Sequence, residues 1–471
     1  MSFENVAFPA FFGIVGLLFL IGVAAAFRMS FATWLLDRAV EVRPNEVHAM
    51  LVGCLYFFCT LASYFILRPI RDAMAVASGV RSVPWLFAGT LTAMIAFHPV
   101  YSSFVARFPV KRFVAITYGF FAANLLIFFA LWQAKISPVW TGRVFFVWLS
   151  VFNLFVVSVF WSVMVDTFRE TEAKRLFGFI GLGGTIGSVS GSAVTAYFAQ
   201  RVGTTNLLLV SAALLVIASS LVAMFPRVIR ATDEAPAGGG PARDHQRELI
   251  GGSVWSGILS VFRTRYIAGI AIFMLLYTVG STFLYSMQTG IIGEFFKNRD
   301  LQTTVLARME LVTQLLAGFV QAFITARAIR IFGLPVTLSA VAIVSVLGFT
   351  ALGASAWGAL PLLWTFLVFN VVRRASDFSL TNPSRKILFT VLSREDKYKS
   401  SSFIETSVYR LGDQLGAWGY AALAALGLSM TGISWVAAPM SVVFLALAVW
   451  LARQQQKKSA ALSAAAAAPA D

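Results

Sequence analysis

The sequence predicts an all-α membrane protein, and three features of the chain lead to that fold class. Of its 471 residues, 58% are hydrophobic and only 12% are charged, whereas charged residues make up about a quarter of a typical soluble domain. Apolar runs of about 20 residues, the length that crosses the hydrocarbon core of a bilayer, recur along the whole chain. Because these runs are long and continuous, we expect helices rather than the short alternating strands of a barrel.

The apolar runs divide into one leading segment and twelve core segments. The leading segment, 8–27, follows Glu4 and precedes Arg28, which is the reverse of a secretory signal. We therefore predict an uncleaved extra N-terminal helix, with a helix lying along the membrane surface as the alternative. The core segments, predicted helices 1 to 12, are approximately 47–67, 84–106, 113–133, 143–166, 176–199, 205–225, 266–290, 303–326, 334–354, 359–381, 402–427 and 431–452.

A long polar connection divides the core segments into two groups. Residues 226–265 include a Pro- and Gly-rich stretch at 235–241 amid charges, which predicts a flexible cytoplasmic linker. The predicted organisation is an extra helix and lead-in (1–46), an N-terminal six-helix half (47–225), the linker (226–265), a C-terminal six-helix half (266–452) and a disordered tail (453–471).

The basic residues predict the orientation of the helices. Most Lys and Arg precede predicted helix 1, follow the even-numbered helices or follow helix 12, which places those segments and the C-terminal tail in the cytoplasm. On this interpretation the net charge of +16 reports topology, so we expect a lipid bilayer and no nucleic acid as partner. A monomer is compatible with the sequence, and the oligomeric state stays open.

The two halves resemble each other in sequence. A shift of about 225 residues superimposes predicted helices 1 and 7, and it also superimposes a cytoplasmic Lys and a pair of Gly residues four apart. The matched positions are Lys174 and Lys399, Gly187 and Gly412, and Gly191 and Gly416. Gly-xxx-Gly pairs allow close helix packing, and two pairs at matching offsets indicate duplication. Six plus six helices around a central linker are typical of the major-facilitator architecture.

Ionisable residues inside membrane helices mark candidate functional sites because burying them is costly. The first cluster, at the end of predicted helix 1, contains Arg68, Arg71 and Asp72. Arg68 and Arg71 share a helical face if the helix continues through Pro69, and two guanidinium groups suit an anionic or phosphorylated substrate. Asp72 could instead neutralise one of the arginines.

The second cluster lies in predicted helix 11. Glu405, Tyr409 and Asp413 follow at i, i+4 and i+8 and would line one face of an α-helix, and Arg410 can pair with Asp413. We predict that this face lines a substrate cavity, with a purely structural Arg410–Asp413 pair as the alternative. No spacing requires a proton relay through Glu405 or Asp413.

Further polar residues lie in predicted helices 7 and 8 and in two loops. Tyr285 in helix 7 and Glu310 and Gln314 in helix 8 could contact a substrate or another helix. The segments after helices 4 and 10 carry mixed charges that suit gating salt bridges or act only as topology anchors. Their predicted gating residues are Lys174, Arg175, Lys397 and Lys399.

The sequence carries no motif of an enzyme site. A phosphate-binding GxxxxGK[ST], a nucleophile elbow and metal-ligand spacing are all missing from it. We therefore predict neither enzymatic activity nor a cofactor.

Four motifs, in order along the chain, resemble the ATP/ADP translocase family of plastids and intracellular bacteria. They are YFILRPIRD at 64–72, FW at 160–161, EAKRLFG at 172–178 and KYKSSSFIE at 397–405. The resemblance implies a twelve-helix, major-facilitator-like fold that exchanges ATP for ADP and phosphate. It also implies that Arg71, where the family has a basic substrate-binding residue, contacts substrate. Stretch 147–150 lacks the functional Glu of the family, and Asp413 stands where the family has Lys, as in a divergent bacterial branch.

Together these features predict a secondary transporter of a small organic anion in the bacterial inner membrane. We expect alternating access, a substrate site between the two halves that includes Arg71 and the helix 11 face, and nucleotide exchange as the best specific reaction. The alternatives are a transporter or flippase of lipids or other amphiphiles, and a membrane protein that binds a partner without moving a solute.

Overall fold

The computed structural model describes residues 46–107, 110–168, 170–225 and 264–467. The predicted leading helix and nearly all of the predicted linker lie outside these residues. Within the described ranges the chain is helical, without a strand, and its helices group into twelve elements.

Apart from the C-terminal end of α1, the first six helices begin and end close to the predicted segments. They are α1 (Val47–Ser78), α2 (Val83–Arg107), α3 (Val110–Gln133), α4 (Pro138–Thr167), α5 (Glu170–Val202) and α6 (Leu207–Met224). α1 continues well beyond its predicted end, through Pro69 and the charged residues that follow it. Charges alone therefore do not end the helix.

The last six helices contain two interruptions. They are α7 (Arg265–Phe295), α8 (Arg299–Phe323), α9 (Thr325–Ala354), α10 (Leu362–Ser376, a π-helical turn at Asp377–Thr381, then Asn382–Leu388), α11 (Arg394–Phe403, a π-helical turn at Ile404–Val408, then Tyr409–Ala425) and α12 (Met430–Ala467). α9 is kinked at Gly333, whose φ of 74° is a left-handed conformation that favours glycine.

Ten helices in the described ranges are long and apolar enough to cross a membrane. α10 and α11 are outside this set because π-helical turns divide them, and their longest α-helical segments have 15 and 17 residues. Large apolar side chains such as Ile217 and Leu347 remain exposed on the helices, as lipid-facing residues do. The chain is a multi-pass helical membrane protein, which confirms the predicted fold class.

The prediction of a disordered tail was wrong for residues 453–467. α12 continues as a helix to Ala467, and Gln455 in this extension is buried. The Nζ of Lys458 lies 5.6 Å from the ring centre of Tyr266 in α7. Ala, Gln and Lys have high helix propensity, so this polar, Ala-rich stretch continues the preceding helix.

The chain forms two compact units that differ from the predicted halves by two exchanged segments. Among the described residues, the first unit contains α1 to Met74, α2 from Thr92, all of α3 to α6, and Asn298–Leu311. The second contains Ala75–Leu91, α7, α8 from Val312, and α9 to α12.

Specific contacts hold the exchanged segments. In the second unit, Trp85 packs edge-on against Trp418 with ring centres 5.1 Å apart. In the first unit, the Oδ1 of Asp300 accepts a hydrogen bond from the backbone N–H of Thr204 at 2.9 Å. Each exchanged segment is therefore an integral part of its unit.

In the first unit, two glycines of α5 allow close contact with α1. A Cβ atom on Gly187 would lie 2.4 Å from the backbone oxygen of Phe58, and one on Gly191 would lie 2.4 Å from that of Ala62. Any side chain at either position would collide with the α1 backbone. The glycines are therefore required for the observed packing of these two helices.

The duplicated glycines of α11 have the same role against α7 in the second unit. A Cβ atom on Gly412 would lie 2.8 Å from the Cβ of Thr278, and one on Gly416 would lie 2.7 Å from that of Thr282. Sequence-matched glycines therefore pack α5 on α1 and α11 on α7, which supports the predicted duplication.

Candidate functional site

Arg68, of the first predicted cluster, forms an ion pair with Glu310, one of the further polar residues in predicted helix 8. In the first unit the Nη1 of Arg68 in α1 lies 3.1 Å from the Oε1 of Glu310 in α8. The side chain of Arg68 is 21% exposed and that of Glu310 only 4%. The Nε of Arg68 is buried and has no hydrogen-bond partner among the described residues.

Arg71 is held by its neighbour in the chain. Its Nε and Nη2 donate hydrogen bonds to the Oδ1 of Asp72 at 3.0 and 2.8 Å, and its guanidinium carbon lies 5.1 Å from the ring centre of Phe146. This is the neutralising role that the sequence left open for Asp72. An incoming anion would have to compete with Asp72 for Arg71.

The second predicted cluster contains the expected ion pair. In the second unit the Nη1 of Arg410 lies 3.1 Å from the Oδ2 of Asp413. The Oδ1 of Asp413 also accepts a hydrogen bond from the hydroxyl of Thr282 in α7 at 3.3 Å. Asp413 is buried next to Gly412, so the close helix contact and the ion pair occupy the same turn of α11.

The predicted face of Glu405, Tyr409 and Asp413 is not continuous. Glu405 is exposed, Tyr409 is half-buried and Asp413 is buried. The prediction assumed one uninterrupted α-helix, but Glu405 lies in the π-helical turn Ile404–Val408. A π-helical turn carries an additional residue and changes the register of the residues on either side.

The other two predicted contact residues lie in α7 and α8. Tyr285 in α7 is half-buried and packs edge-on against Phe87 with ring centres 5.6 Å apart. Gln314 is half-buried in α8 and belongs to the second unit, whereas Glu310, one helical turn earlier, belongs to the first.

The structure describes two of the four predicted gating residues. The Nη2 of Arg175 lies 2.9 Å from the Oε1 of Glu46, which is buried in the first unit. Lys397 is half-buried near the start of α11. The side chains of Lys174 and Lys399 lie outside the described part.

Sequence analysis missed a buried arginine in α10. Arg373 is 3% exposed. Its Nε donates to the Oγ of Ser345 at 2.9 Å, its Nη1 to the Oγ of Ser281 at 3.0 Å and its Nη2 to the backbone oxygen of Tyr277 at 3.3 Å. Neutral oxygens of α7 and α9 therefore hold a guanidinium group inside the second unit.

A buried carboxylate lies next to this arginine. The hydroxyl of Tyr277 donates to the Oδ2 of Asp377 at 2.6 Å. Asp377 belongs to the π-helical turn of α10, and its Oδ1 is buried without a hydrogen-bond partner in the described ranges. The guanidinium carbons of Arg373 and Arg385 lie 5.5 and 5.9 Å from the ring centre of Tyr277.

Tyr409 connects this network to the predicted cluster of α11. It is half-buried in the second unit and interacts electrostatically with both Asp413 and Asp377. The polar groups of α7, α10 and α11 therefore form one constellation, of which sequence analysis found only the α11 part.

A signal for the missed residues is present in the sequence. Arg373, Arg374 and Asp377 lie inside predicted helix 10, where charged residues have the same significance as in helix 11.

The described residues contain no group of three or more His, Cys, Asp or Glu side chains that could hold a metal ion. The charged clusters are built instead from arginines, carboxylates and hydroxyl groups. Such groups can bind an anion, carry a proton or change partners between conformations.

Two sets of six helices, matched glycine contacts and charged residues inside the helices define a polytopic membrane protein with a major-facilitator-like fold. The chain is similar to a bacterial homologue of the human lysosomal transporter Spinster, in an inward-facing and unoccupied conformation, with 12% identity, 88% of this chain and 98% of that chain covered, and a TM-score of 0.55.

Two further structures show the same likeness. The nucleoside transporter NupG has 14% identity, with 87% of this chain and 97% of that chain covered and a TM-score of 0.54. A D-xylose-proton symporter has 12% identity, with coverage of 85% and 96% and a TM-score of 0.56. At these identities the likeness establishes the fold. No protein-family model matches the chain, and no curated protein sequence matches it.

Proposed function

We propose that the protein is a secondary transporter of a small organic anion and that its leading specific reaction is exchange of ATP for ADP. The observation that carries the proposal is the set of buried or half-buried arginines inside membrane helices of both units: Arg68, Arg71, Arg373 and Arg410. Charged groups at membrane depth are costly and mark substrate or ion pathways.

The geometry of the first unit supports exchange of one anion for another. Arg68 and Arg71 are bound by the carboxylates of Glu310 and Asp72. Guanidinium groups bind phosphate through paired, charge-assisted hydrogen bonds. A phosphate group would therefore replace a carboxylate, and the carboxylates would bind the arginines again when the substrate leaves.

The choice of a nucleotide rests on the four translocase-like motifs and on Arg71. The related folds do not select a substrate, since they include a nucleoside transporter, a peptide transporter and a xylose transporter. The division into two compact units supports alternating access. The basic loops support a position in the bacterial inner membrane with a cytoplasmic C-terminus.

Uptake of labelled ATP into proteoliposomes tests this function. Vesicles would be preloaded with ADP or left empty, and intact protein would be compared with Arg71→Ala. We expect uptake that depends on internal ADP and that falls about tenfold or more in Arg71→Ala, because each lost charge-assisted hydrogen bond weakens phosphate binding.

Arg201→Ala is the matched control. Arg201 is an exposed arginine of α5, and within the described ranges its guanidinium interacts with Tyr197, one turn earlier, through the backbone oxygen and the ring. Its loss should leave uptake unchanged. If folded intact protein takes up no ATP, the nucleotide assignment is wrong, and other anions and then lipids become the substrates to screen.

A further inference from the structure

The side chain of Asp377 accepts a hydrogen bond from Tyr277, and its second oxygen indicates a further role. We infer that this carboxylate is a proton-binding site whose protonation favours binding of an anion in the second unit, so that transport is coupled to protons. Proton binding stands on the geometry alone, whereas the coupling rests on the proposed transport of an anion.

The two oxygens of this carboxylate have different surroundings. Oδ2 accepts the short hydrogen bond from Tyr277, while Oδ1 is buried and unpartnered in the described part of the chain. A buried ionised oxygen without a donor is unfavourable. A proton on Oδ1 removes that charge and leaves the bond from Tyr277 in place, so the site has a ready position for one proton.

The charged and titratable groups around Asp377 come from three helices. They are Tyr277 of α7, Arg373, Arg374 and Arg385 of α10, and Tyr409 of α11. The three donor nitrogens of Arg373 bond to Ser345, Ser281 and Tyr277, and the Nη2 of Arg385 bonds to the Oδ1 of Asn382 at 3.0 Å. The negative charge of ionised Asp377 therefore offsets the positive charges of these arginines by electrostatic attraction over a distance.

The coupling step is a simple protonation. One proton from water binds Oδ1, the carboxylate becomes a neutral carboxyl group, and no other bond breaks. The surrounding arginines keep their positive charges, which the negative charge of Asp377 then no longer offsets. An anion near them is bound more strongly as a result, and by thermodynamic linkage a bound anion favours protonation to the same extent.

The first unit provides a neutral counterpart of this hydrogen bond. The hydroxyl of Tyr56 donates to the hydroxyl of Tyr118 at 2.8 Å, and Tyr118 donates to the backbone oxygen of Val156 at 3.1 Å. Both tyrosines are fully buried, and Tyr277 is 9% exposed. Since the acceptors are not ionisable carboxylates, Tyr56 serves as the matched control for Tyr277.

Infrared difference spectroscopy of the full-length protein in lipid, titrated with pH and without substrate, tests proton binding. The carbonyl stretch of a protonated carboxyl group should appear as the pH falls and be missing from Asp377→Asn. In Tyr277→Phe the midpoint should move up by about one pH unit, because the ionised carboxylate loses its hydrogen-bond donor. Tyr56→Phe should titrate like the intact protein.

Two results would overturn the proton site: a titrating carbonyl band that persists unchanged in Asp377→Asn, or the same midpoint in Tyr277→Phe as in intact protein. Because no substrate is present, these results are independent of transport.

A separate measurement follows ATP uptake with and without an inward proton gradient. Faster uptake with the gradient supports the coupling, and equal uptake rejects it. Lack of any ATP uptake rejects nucleotide transport and leaves the infrared result in force.

Discussion

Arginines inside the helices differ in how deeply their partners are buried. In the Arg68–Glu310 pair the side chains are 21% and 4% exposed, whereas in the Arg410–Asp413 pair they are 33% and 8% exposed. The more exposed guanidinium is better screened. Removing one member of the more buried pair leaves the other charge without its hydrogen-bonded partner. Of these two pairs, Arg68–Glu310 is therefore the one whose disruption should affect stability more.

We predict that Glu310→Gln lowers the free energy of unfolding by about 3 kcal/mol, the typical effect of breaking a buried ion pair on one side. Glu405→Gln is the control, since Glu405 is an exposed glutamate on another helix and should change stability little. Chemical or thermal unfolding of purified protein in detergent measures both. Equal stability of the two variants would show that Glu310 does not stabilise the first unit.

Which of these pairs could be predicted depended on their separation along the chain. Arg410 and Asp413 are three residues apart on one helix, so spacing alone predicted their contact, and the structure contains it. Arg68 and Glu310 are 242 residues apart and lie in different predicted halves. Helical periodicity indicates which residues share a face of one helix, but it does not indicate which helices meet.

The glycines of α5 determine how closely this helix approaches α1. Along α5, some glycines face the α1 backbone and others face open space. A Cβ atom on Gly187 would lie 2.4 Å from the oxygen of Phe58, but one on Gly181 would have no described atom within 4 Å. The two positions are six residues apart on one helix and differ mainly in what they face.

We predict opposite effects of alanine at these two positions. Gly187→Ala should destabilise the protein by about 1–3 kcal/mol, because the added methyl group forces two backbones apart. Gly181→Ala should be neutral or stabilising by roughly 0.5–1 kcal/mol, because alanine favours helix over glycine. Thermal unfolding of both variants measures the difference, and a similar loss in both would contradict the assigned helix contact.

Helical segments were predictable because apolar length is a property of the sequence, and the described helices match it. The π-helical turns Asp377–Thr381 and Ile404–Val408 were not predictable. Hydrophobic periodicity over a few residues does not distinguish an α-helical turn from a π-helical one. The first turn contains Asp377 and the second contains Glu405, so the errors at element scale became errors about the site.

The distribution of basic residues predicts how the helices are oriented in the membrane, just as the length of the apolar segments predicts the helices themselves. Basic residues concentrate in alternate loops, which predicts that the C-terminal end of α12 lies in the cytoplasm. The loop after α3, which includes Lys135, is predicted on the opposite side. Both positions are accessible to reporter fusions because α3 ends at Gln133 and α12 ends at Ala467.

We expect alkaline phosphatase fused after Ala467 to be inactive in bacteria and a green fluorescent protein at the same position to be fluorescent. The chain truncated after Lys135 and fused to the same reporters should give the reverse result, since phosphatase folds only outside the cytoplasm. Active phosphatase at the C-terminus would contradict the predicted orientation.

The exchange of short segments between the two units determines when each unit can be completed during synthesis. The first unit needs Asn298–Leu311, which the ribosome makes only after all of α7. Until then the nascent chain holds Arg68 in α1 without Glu310. A fragment that ends in the linker would lack the same partner permanently. Assembly of the first unit is therefore a late event, although nearly all of its helices are made first.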